Sequence, residues 1–399
     1  MDPTATDWVE SVNGCNYCDE FVLNFPRLSG YHSFTPQEID SNLARLKERV
    51  FQNKRRSKSD YDCVIGLSGG LDSSYALVLA AEIGLNPIVV HMDNGWNSEL
   101  AQNNIEGLIN HFGFDFETHV IDWDEYRDLQ RAFLNADVVD IEMLYDMAAV
   151  GVCFKAARKY GIRTIVAGTN SATEGMRMPP TWSYRNKLDK INMKDIVRKY
   201  GQDVTFKTFP LYSSFNQAFD LLVRRIDWVS ILDLVNYDKK VAEQKLVENF
   251  GFKPYPFKHY ESVFTRFYQG FILPNKFGID KRKSHLSTLI MTNQISRTQA
   301  LDTLSKSPYP TQEMLEQDLE YFLKRMNWSE SDLSDYLDRP SRPHSYFKSD
   351  ETMLGLLKFV YFTSRGALFR FRRILSLPYH GFRKVLSSSI SLKWSKRKF

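Results

Sequence analysis

The chain has 399 residues, of which 43% are hydrophobic and 25% are charged; this is the composition of a globular protein and excludes one that is disordered throughout. No apolar run approaches the roughly 20 residues that span a bilayer, and the amino terminus lacks the pattern of a signal peptide, so we expect a cytoplasmic protein. The net charge of +4 is uneven: residues 352–399 hold eleven Lys and Arg without any Asp or Glu, which leaves residues 1–351 with a net charge of −7.

The first 56 residues are predicted to form a small segment of their own. They contain the Cys-x-x-Cys pair Cys15 and Cys18, followed by TPQE from Thr35, a helix-start signal. Four cysteines are too few for a disulfide scaffold and agree with a reducing compartment. Cys63 and Cys153 lie in apolar segments that are typical of buried thiols.

A parallel sheet is predicted within residues 57–250. Apolar strand-like runs (DCVIGL, PIVVH, FETHVI and RTIVAG) alternate with segments of helical periodicity. This alternation predicts an α/β fold with a doubly wound, mostly parallel sheet that is covered on both faces. Residues 251–345 are predicted to form a further, largely helical region, and residues 346–399 a basic amphipathic tail.

Serines, glycines and one aspartate are concentrated at the turn after the first predicted strand. In a doubly wound sheet this turn presents backbone N–H groups and a helix N-terminus to an anion. The lysine of a Walker A loop is missing, and an aspartate beside phosphate requires a divalent cation between them. The alternative is a turn that only caps a helix. The predicted phosphate-binding residues are Ser68, Gly69, Gly70, Asp72, Ser73 and Ser74.

The segment SGGLDSS between a strand and a helix resembles the pyrophosphatase loop of the PP-loop ATP-pyrophosphatase superfamily, which has an adenine nucleotide alpha-hydrolase-like, Rossmann-like fold. The resemblance implies ATP and Mg²⁺ as cofactors, transfer of AMP to a substrate oxygen and release of pyrophosphate. HMDNGW and AGTNSATEG follow later strands and match further nucleotide-binding positions, which adds His91, Asp93, Gly168 and Thr169. Glu174 is implied as a second Mg²⁺ ligand beside Asp72, with a solvated loop carboxylate as the alternative.

Three longer segments, GCNYCDEF (14–21), ATEGMRMPPTWSY (172–184) and residues 258–290, resemble the N-acetyl sugar amidotransferase family. That family converts acetamido into acetamidino groups on sugars of bacterial surface polysaccharides. The resemblance covers about residues 3 to 330. It implies a nucleotide-linked N-acetylated sugar as substrate, an adenylated imidate as intermediate, ammonia from a partner glutaminase, and a role in lipopolysaccharide, O-antigen or related glycan biosynthesis.

Residues 251–345 are expected to supply contacts to substrate and pyrophosphate. A basic run is predicted to clamp pyrophosphate, unless it is a solvated loop. Its members are Lys276, Lys281, Arg282 and Lys283, with Asp280 orienting one of them. His259 and Glu261 are predicted to act as acid or base on ammonia, with structural roles as the alternative. Trp182, Tyr184 and Arg266 are predicted to line the sugar site, although aromatic residues at such spacing also form cores.

The cysteine pair departs from the family pattern. Relatives commonly carry two Cys-x-x-Cys pairs, whereas this chain has only Cys15 and Cys18 at its amino terminus. Two thiolates do not complete a tetrahedral Zn²⁺ site, so zinc binding stays in doubt.

The carboxyl-terminal tail interleaves Leu, Ile, Phe and Trp with Lys and Arg. This composition suits an anionic membrane surface, such as the inner face of the membrane. A partner-binding helix and a merely solubilising tail are the alternatives.

Two other functions are considered. A PP-loop enzyme that thiolates tRNA would use Cys15 or Cys18 as redox or cluster thiols. The basic residues of such an enzyme should be spread over the whole chain. Residues 1–351 instead carry a net negative charge, so we expect no nucleic-acid partner. A non-catalytic nucleotide-binding regulator should have lost Asp72 or Glu174, and both are present.

Overall fold

The computed structural model of the protein describes residues 15–28, 33–55, 57, 59–202, 206–255 and 260–351. Helix α1 (Asn16–Asn24) and helix α2 (Pro36–Lys54) precede the sheet. Helix α2 begins at the predicted signal, because the Thr35 side chain accepts from the N–H of Glu38 while the Glu38 side chain accepts from the N–H of Thr35. Two predicted features, His259 and the basic tail, lie outside the described residues.

Five parallel strands form one sheet with the order β3-β2-β1-β4-β5. The strands are β1 (Cys63–Gly66), β2 (Pro87–Asp93), β3 (Phe116–Val120), β4 (Thr164–Ala167) and β5 (Asp227–Ser230). The predicted doubly wound parallel sheet is therefore confirmed. The four strand-like runs of the sequence correspond to β1 to β4, while β5 is not among the runs that the sequence analysis identified.

Helices connect the strands and cover the sheet. The order of strands reverses at β1, which carries β2 on one side and β4 on the other. In such a sheet the crevice for a ligand lies beyond the carboxyl ends of the strands at the reversal. The connecting helices are α3 (Leu71–Glu82), α4 (Glu99–Phe112), α5 (Trp123–Asn135), α6 (Met143–Lys159), α7 (Ser171–Glu174), α8 (Lys190–Tyr200), α9 (Ser214–Leu222) and α10 (Lys239–Phe250).

Successive residues of the central strands point into two different cores. Val64 belongs to the core beneath α5, α6 and the carboxyl-terminal helices, while its neighbour Ile65 belongs to the core beneath α2, α3, α4 and α10. This alternation is the period of two that a pleated strand imposes. Because both faces are buried, the strands read as continuous apolar runs, and for that reason they were visible in the sequence.

The helices after residue 260 complete the first of these cores. Phe264, Phe267, Tyr268 and Phe322 pack with strand residues such as Val64. A π-helical turn at Tyr268–Ile272 joins two of the helices, a feature that is frequent at functional sites. The α-helices of this region are α11 (Val263–Phe267), α12 (Leu273–Phe277), α13 (Arg282–Met291), α14 (Arg297–Ser305), α15 (Gln312–Met326) and α16 (Glu330–Asp338).

Within the described part of the chain, none of the helices combines the length and the apolar character that crossing a bilayer requires.

Candidate active site

A cleft of about 630 Å³ lies beyond the carboxyl ends of β1, β2 and β4. One wall is the turn between β1 and α3, and the opposite wall is formed by residues 260–289. This is the position at which doubly wound sheets bind ligands. Members of the predicted site that line the cleft are Ser68, Gly70, Asp72, Ser73, His91, Gly168, Thr169, Glu174, Glu261, Arg266, Lys281 and Arg282.

The Ser-Gly turn is shaped by its own hydroxyl groups. The N–H of Ser68 donates to the Ser73 hydroxyl (3.2 Å), and the two hydroxyl oxygens of Ser68 and Ser73 lie 3.0 Å apart. Ser73 also donates to the carbonyl of Gly70. These bonds fix the turn before any ligand arrives, which reduces the cost of ordering it around an anion. Ser74 is fully buried and does not line the cleft.

Two glycines let the chain pack tightly around this turn. Gly69 has φ +79°, and a Cβ there would lie 2.5 Å from the carbonyl oxygen of Ala101. Gly69 does not line the cleft; its carbonyl accepts from the hydroxyl of Tyr255. A Cβ on Gly168 would lie 2.7 Å from both the carbonyl oxygen of Asp72 and the Cα of Ser73. Glycine at 168 therefore allows the loop after β4 to contact the start of α3.

The carboxylates of Asp72 and Glu174 both line the cleft, and both act on the buried Tyr237 through their charge. The Tyr237 hydroxyl donates to Asp72 in a very short hydrogen bond. Burial and the negative charges of Asp72 and Glu174 raise the pKa of Tyr237 well above its usual value. Mg²⁺ in nucleotide sites is held by one or two carboxylates together with phosphate oxygens, so this pair fits a Mg²⁺–ATP complex.

Glu261 approaches the Ser-Gly turn from the opposite wall. Its carboxylate lies against Gly70, where a Cβ would meet Cδ and Oε1 of Glu261 at 3.3 Å. The backbone of this segment is fixed to the start of α4, since the carbonyl of Glu261 accepts from the N–H of Ser98 (2.9 Å). The predicted acid or base therefore lies beside the predicted phosphate loop.

Three of the predicted basic side chains line the cleft, and each has an acidic partner. Lys281 pairs with Glu142 in a very short contact. Arg282 donates to Asp280, the predicted orienting residue, at 2.8 Å and also donates to two backbone carbonyls of the α14 region. Arg266 forms a bidentate pair with Asp318, with both N–O distances at 2.6 Å. A bidentate pair fixes the guanidinium plane, so Arg266 presents a defined edge to the cleft.

The prediction that Lys276 acts on phosphate is wrong. Its side chain is fully buried, away from the cleft, and donates to the carbonyls of Tyr336 and Arg339 while lying 3.2 Å from Asp137. Burial lowers the pKa of Lys276. Its ammonium group thus joins α12 to the end of α16.

We predict that Lys276→Met destabilises the protein without changing its affinity for ATP. The variant leaves two carbonyls and Asp137 without this donor, at a cost of about 2–4 kcal/mol. Urea denaturation measures the free energy of unfolding, and calorimetry at a temperature where the variant is folded measures ATP binding. Loss of ATP affinity by the folded variant would contradict this assignment.

His91 and Asp93, both predicted to bind the nucleotide, have separate places. His91 lines the cleft, where Nδ1 lies 2.7 Å from the carbonyl oxygen of Leu67 and Nε2 lies 2.8 Å from the amide nitrogen of Asn97. Burial lowers the pKa of His91, which favours a neutral ring. Asp93 does not line the cleft, because its carboxylate accepts from Asn97 and from the N–H of Gly95.

Trp182 and Tyr184 do not line the cleft either, which corrects their assignment to a sugar site there. Trp182 is buried in the core beneath α6. The Tyr184 hydroxyl donates to Asp189 (2.6 Å), and its ring stacks on His344 with centroids 4.3 Å apart. Trp182 therefore belongs to the core, and Tyr184 joins the segment around residue 184 to the segment around residue 344.

We predict that His344 makes stability depend on pH. Burial lowers its pKa to about 4. Nδ1 lies 2.8 Å from the Asn192 side-chain oxygen, whereas Nε2 has no hydrogen-bond partner among the described residues, so a proton added to Nε2 would be buried without an acceptor. Protonation of His344 is less favourable in the folded state than in the unfolded state. The free energy of unfolding is therefore undiminished above the unfolded pKa of about 6.5, and it falls as the pH decreases toward 4.

Urea denaturation at pH 7 and pH 5 measures this effect. Between pH 7 and pH 5 the free energy of unfolding of the wild type should fall by about 2 kcal/mol more than that of the variant His344→Gln. The variant serves as the control for every other titrating group. Equal losses in the two proteins would contradict the prediction.

Several cleft residues were missed by the sequence analysis. Asp146 and Tyr145 enter from α6, Gln269 from the π-helical turn, and His285 from α13. Burial and two nearby carboxylates raise the pKa of Asp146 to about 6, despite the opposing effect of Lys187 at 3.6 Å. None of these residues belongs to a local motif, and only the fold brings them to the cleft.

The cysteines do not support a metal or redox site. Cys15 and Cys18 pack against the small cluster of Tyr17, Phe21 and Met176. Among the residues that the structure describes, no group of three or more His, Cys, Asp or Glu side chains could hold a metal ion, so the doubtful zinc site is not supported. Burial and the neighbouring Cys15 raise the pKa of Cys18. Cys153 lines the cleft, but burial raises its pKa to about 12, which keeps it a neutral thiol.

One wall of the cleft matches a known family. Residues 261–361 match the family described as LPS biosynthesis protein WbpG-like, C-terminal domain. This part of the chain is similar to lipopolysaccharide biosynthesis proteins. The match confirms the resemblance that residues 258–290 indicated, and it includes the cleft residues Glu261, Arg266, Lys281 and Arg282. No curated protein matches the chain.

Solved structures similar to the chain include nucleotide synthetases. An NH3-dependent NAD synthetase from Campylobacter jejuni is 14% identical with a TM-score of 0.28 and covers 55% of this chain and 99% of its own. An NMN synthetase from Francisella tularensis is 16% identical with a TM-score of 0.29, covering 57% and 100%. A glutamine-dependent NAD+ synthetase from Acinetobacter baumannii is 13% identical with a TM-score of 0.30, covering 72% and 45%, so this chain spans less than half of that protein.

Proposed function

We propose that the protein is an ATP-dependent amidotransferase of lipopolysaccharide or related surface-glycan biosynthesis, which converts the acetamido group of a nucleotide-linked sugar into an acetamidino group. One observation carries the proposal: the Ser-Gly turn after β1 and the WbpG-like segment line the same cleft. A phosphate-binding turn and a segment typical of sugar-modifying proteins thus face a common space.

The proposed reaction has two steps. The amide oxygen of the acetamido group attacks the α-phosphorus of ATP, pyrophosphate leaves, and the amide nitrogen loses its proton to give an adenylated imidate. Ammonia then attacks the imidate carbon, the C–O bond to AMP breaks, and one proton leaves the former ammonia. The products are the amidine, AMP and pyrophosphate.

The residues of the cleft suit this chemistry. Ser68, Gly70 and Ser73 would hold the outer phosphates at the N-terminus of α3, while Asp72 and Glu174 would bind the Mg²⁺ that neutralises them. An amide oxygen is a weak nucleophile, so the barrier must fall through positioning and charge stabilisation. Lys281 and Arg282 on the opposite wall would stabilise the developing charge.

The carboxylates of the cleft would accept and donate protons in this reaction. Glu261 lies beside the Ser-Gly turn, and Asp146 has a pKa raised to about 6. A base with a pKa near the working pH can take a proton from the attacking ammonia and release it afterwards. Ammonia would come from a partner glutaminase.

Incubation with ATP, Mg²⁺, an ammonium salt and a panel of nucleotide-linked N-acetylated sugars tests the proposal. One sugar should stimulate release of AMP and pyrophosphate and yield a product lighter by the difference between O and NH. Unacetylated sugar nucleotides serve as matched controls. AMP release with tRNA but with no sugar would favour tRNA modification instead.

A further inference from the structure

Helix α9 exposes one apolar face. Phe215, Phe219, Leu222 and Val223 are exposed to 55%, 45%, 46% and 61% of their surfaces. Their spacing of four, three and one residues places them on a single side of the helix. The opposite side is anchored, since Ser214, Gln217 and Asp220 are buried. We call the exposed set the α9 face.

Arginines continue the α9 face at its carboxyl end. Arg224 lies over the Phe219 ring, with its guanidinium carbon 4.8 Å from the ring centre. Arg158, Arg163, Arg224 and Arg225 line a shallow depression together with Val223. Apolar and cationic groups therefore share one continuous surface.

The acidic groups near these arginines do not cancel their charge. Asp220 is fully buried and pairs with Arg158 and Arg224, and Asp227 pairs with Arg49. Within the described residues, neither Arg163 nor Arg225 forms an ion pair with a carboxylate. The surface keeps a net positive charge.

This surface lies at the opposite end of the sheet from the cleft. Arg163 directly precedes β4, and Ile226 directly precedes β5, so the depression lies at the amino ends of these strands. The cleft lies at their carboxyl ends. A large partner could cover the α9 face without closing the cleft.

The basic tail leaves the described structure close to α9. Asp350 accepts from the Asn186 side chain (2.7 Å), and Asn186 accepts from the hydroxyl of Ser214, the first residue of α9 (2.9 Å). The 48 residues that follow Glu351 carry eleven basic residues interleaved with Leu, Ile, Phe and Trp. The chain therefore enters its basic segment near the start of α9.

Charge selects the occupant of the α9 face. The tail is as basic as the arginines, so the two repel, and a second copy of the chain would bring the same arginines together. An anionic bilayer offers negative headgroups to the arginines and acyl chains to the phenylalanines. We propose that the α9 face and the adjoining arginines bind the surface of a membrane that contains anionic phospholipid. This inference does not depend on the reaction proposed for the cleft.

Co-sedimentation of the full chain with vesicles tests the inference. The protein should bind vesicles of phosphatidylglycerol and phosphatidylcholine, more weakly at high salt, and should not bind phosphatidylcholine alone. The variant Phe215→Ser/Phe219→Ser should lower the partition coefficient roughly tenfold, and Arg225→Gln should lower it about fivefold. The control Val241→Ser/Leu301→Ser removes side chains that are 61% and 56% exposed elsewhere and should change nothing.

Three results would overturn the inference. Unchanged binding by the phenylalanine variant would assign membrane contact to the tail alone. Equal binding to both kinds of vesicle would remove the role of charge. Altered sedimentation velocity of the variant without any vesicle binding would assign the α9 face to contact between copies of the chain. Because both phenylalanine side chains are exposed, the variant should fold, and its Tm checks this.

Discussion

Replacement of Asp72 by asparagine should abolish most pyrophosphate release while the fold stays intact. Asparagine keeps the shape of the side chain and can still accept the hydrogen bond from Tyr237, but it lacks the charge that holds Mg²⁺. We expect kcat/KM to fall on the order of 100- to 1,000-fold. A coupled assay for pyrophosphate with the active nucleotide sugar measures this loss.

The control for this experiment is Asp124→Asn. Asp124 lies in the first turn of α5 with 74% of its side chain exposed and pairs only locally, with Arg127. The variant Asp124→Asn makes the same chemical change at the surface and should keep full activity. If Asp72→Asn released pyrophosphate at the wild-type rate, the proposed role of Asp72 would be wrong.

Replacement of Gly69 by alanine should be the most damaging change at the Ser-Gly turn. The new Cβ would lie 2.5 Å from the carbonyl oxygen of Ala101, in a backbone conformation with φ +79°. The left-handed conformation costs about 1 kcal/mol, and the overlap with α4 adds about 1–3 kcal/mol. We expect a total loss of about 3 kcal/mol, together with weaker ATP binding because the turn must shift.

The matched control is Gly113→Ala. Gly113 ends α4 with φ +65°, but a Cβ there would meet no atom within 4 Å. This variant should lose only about 1 kcal/mol of stability, which is the cost of the left-handed conformation for alanine. Urea denaturation of the two variants separates the cost of the left-handed backbone from the cost of the steric overlap with α4. Equal losses of stability would show that contact with α4 does not decide the requirement for glycine at position 69.

The sequence predicted the parts of the fold that depend on local pattern. Strands β1 to β4 were visible because continuous apolar runs are needed where both faces of a sheet are buried. Strand β5 was missed because its four residues, DWVS, begin and end with a polar residue and only Trp228 and Ser230 are buried. It therefore lacks the continuous apolar run that marks the equally short β1 and β4, and it is held in the sheet by pairing with β4.

The site shows the same division. Ser68, Gly70, Asp72 and Ser73 were predicted correctly as neighbours, because a turn after a strand keeps them together whatever the rest of the chain does. Lys276 and Lys281 are only five residues apart, yet one is buried against α16 and the other lines the cleft. Helix α12 ends between them at Gly278, with φ +66°, and the chain changes direction there.

The sequence by itself determined a parallel α/β sheet, a Ser-Gly turn after its first strand and the similarity of the segment from residue 261 onward to lipopolysaccharide biosynthesis proteins, because each of these depends on consecutive residues. Only the tertiary structure decided which distant side chains meet. Glu261 lies against Gly70, Asp146 of α6 lines the cleft, and position 168 has no room for a Cβ atom. Such contacts depend on how helices pack against the sheet, and packing is set by the shapes of many residues at once.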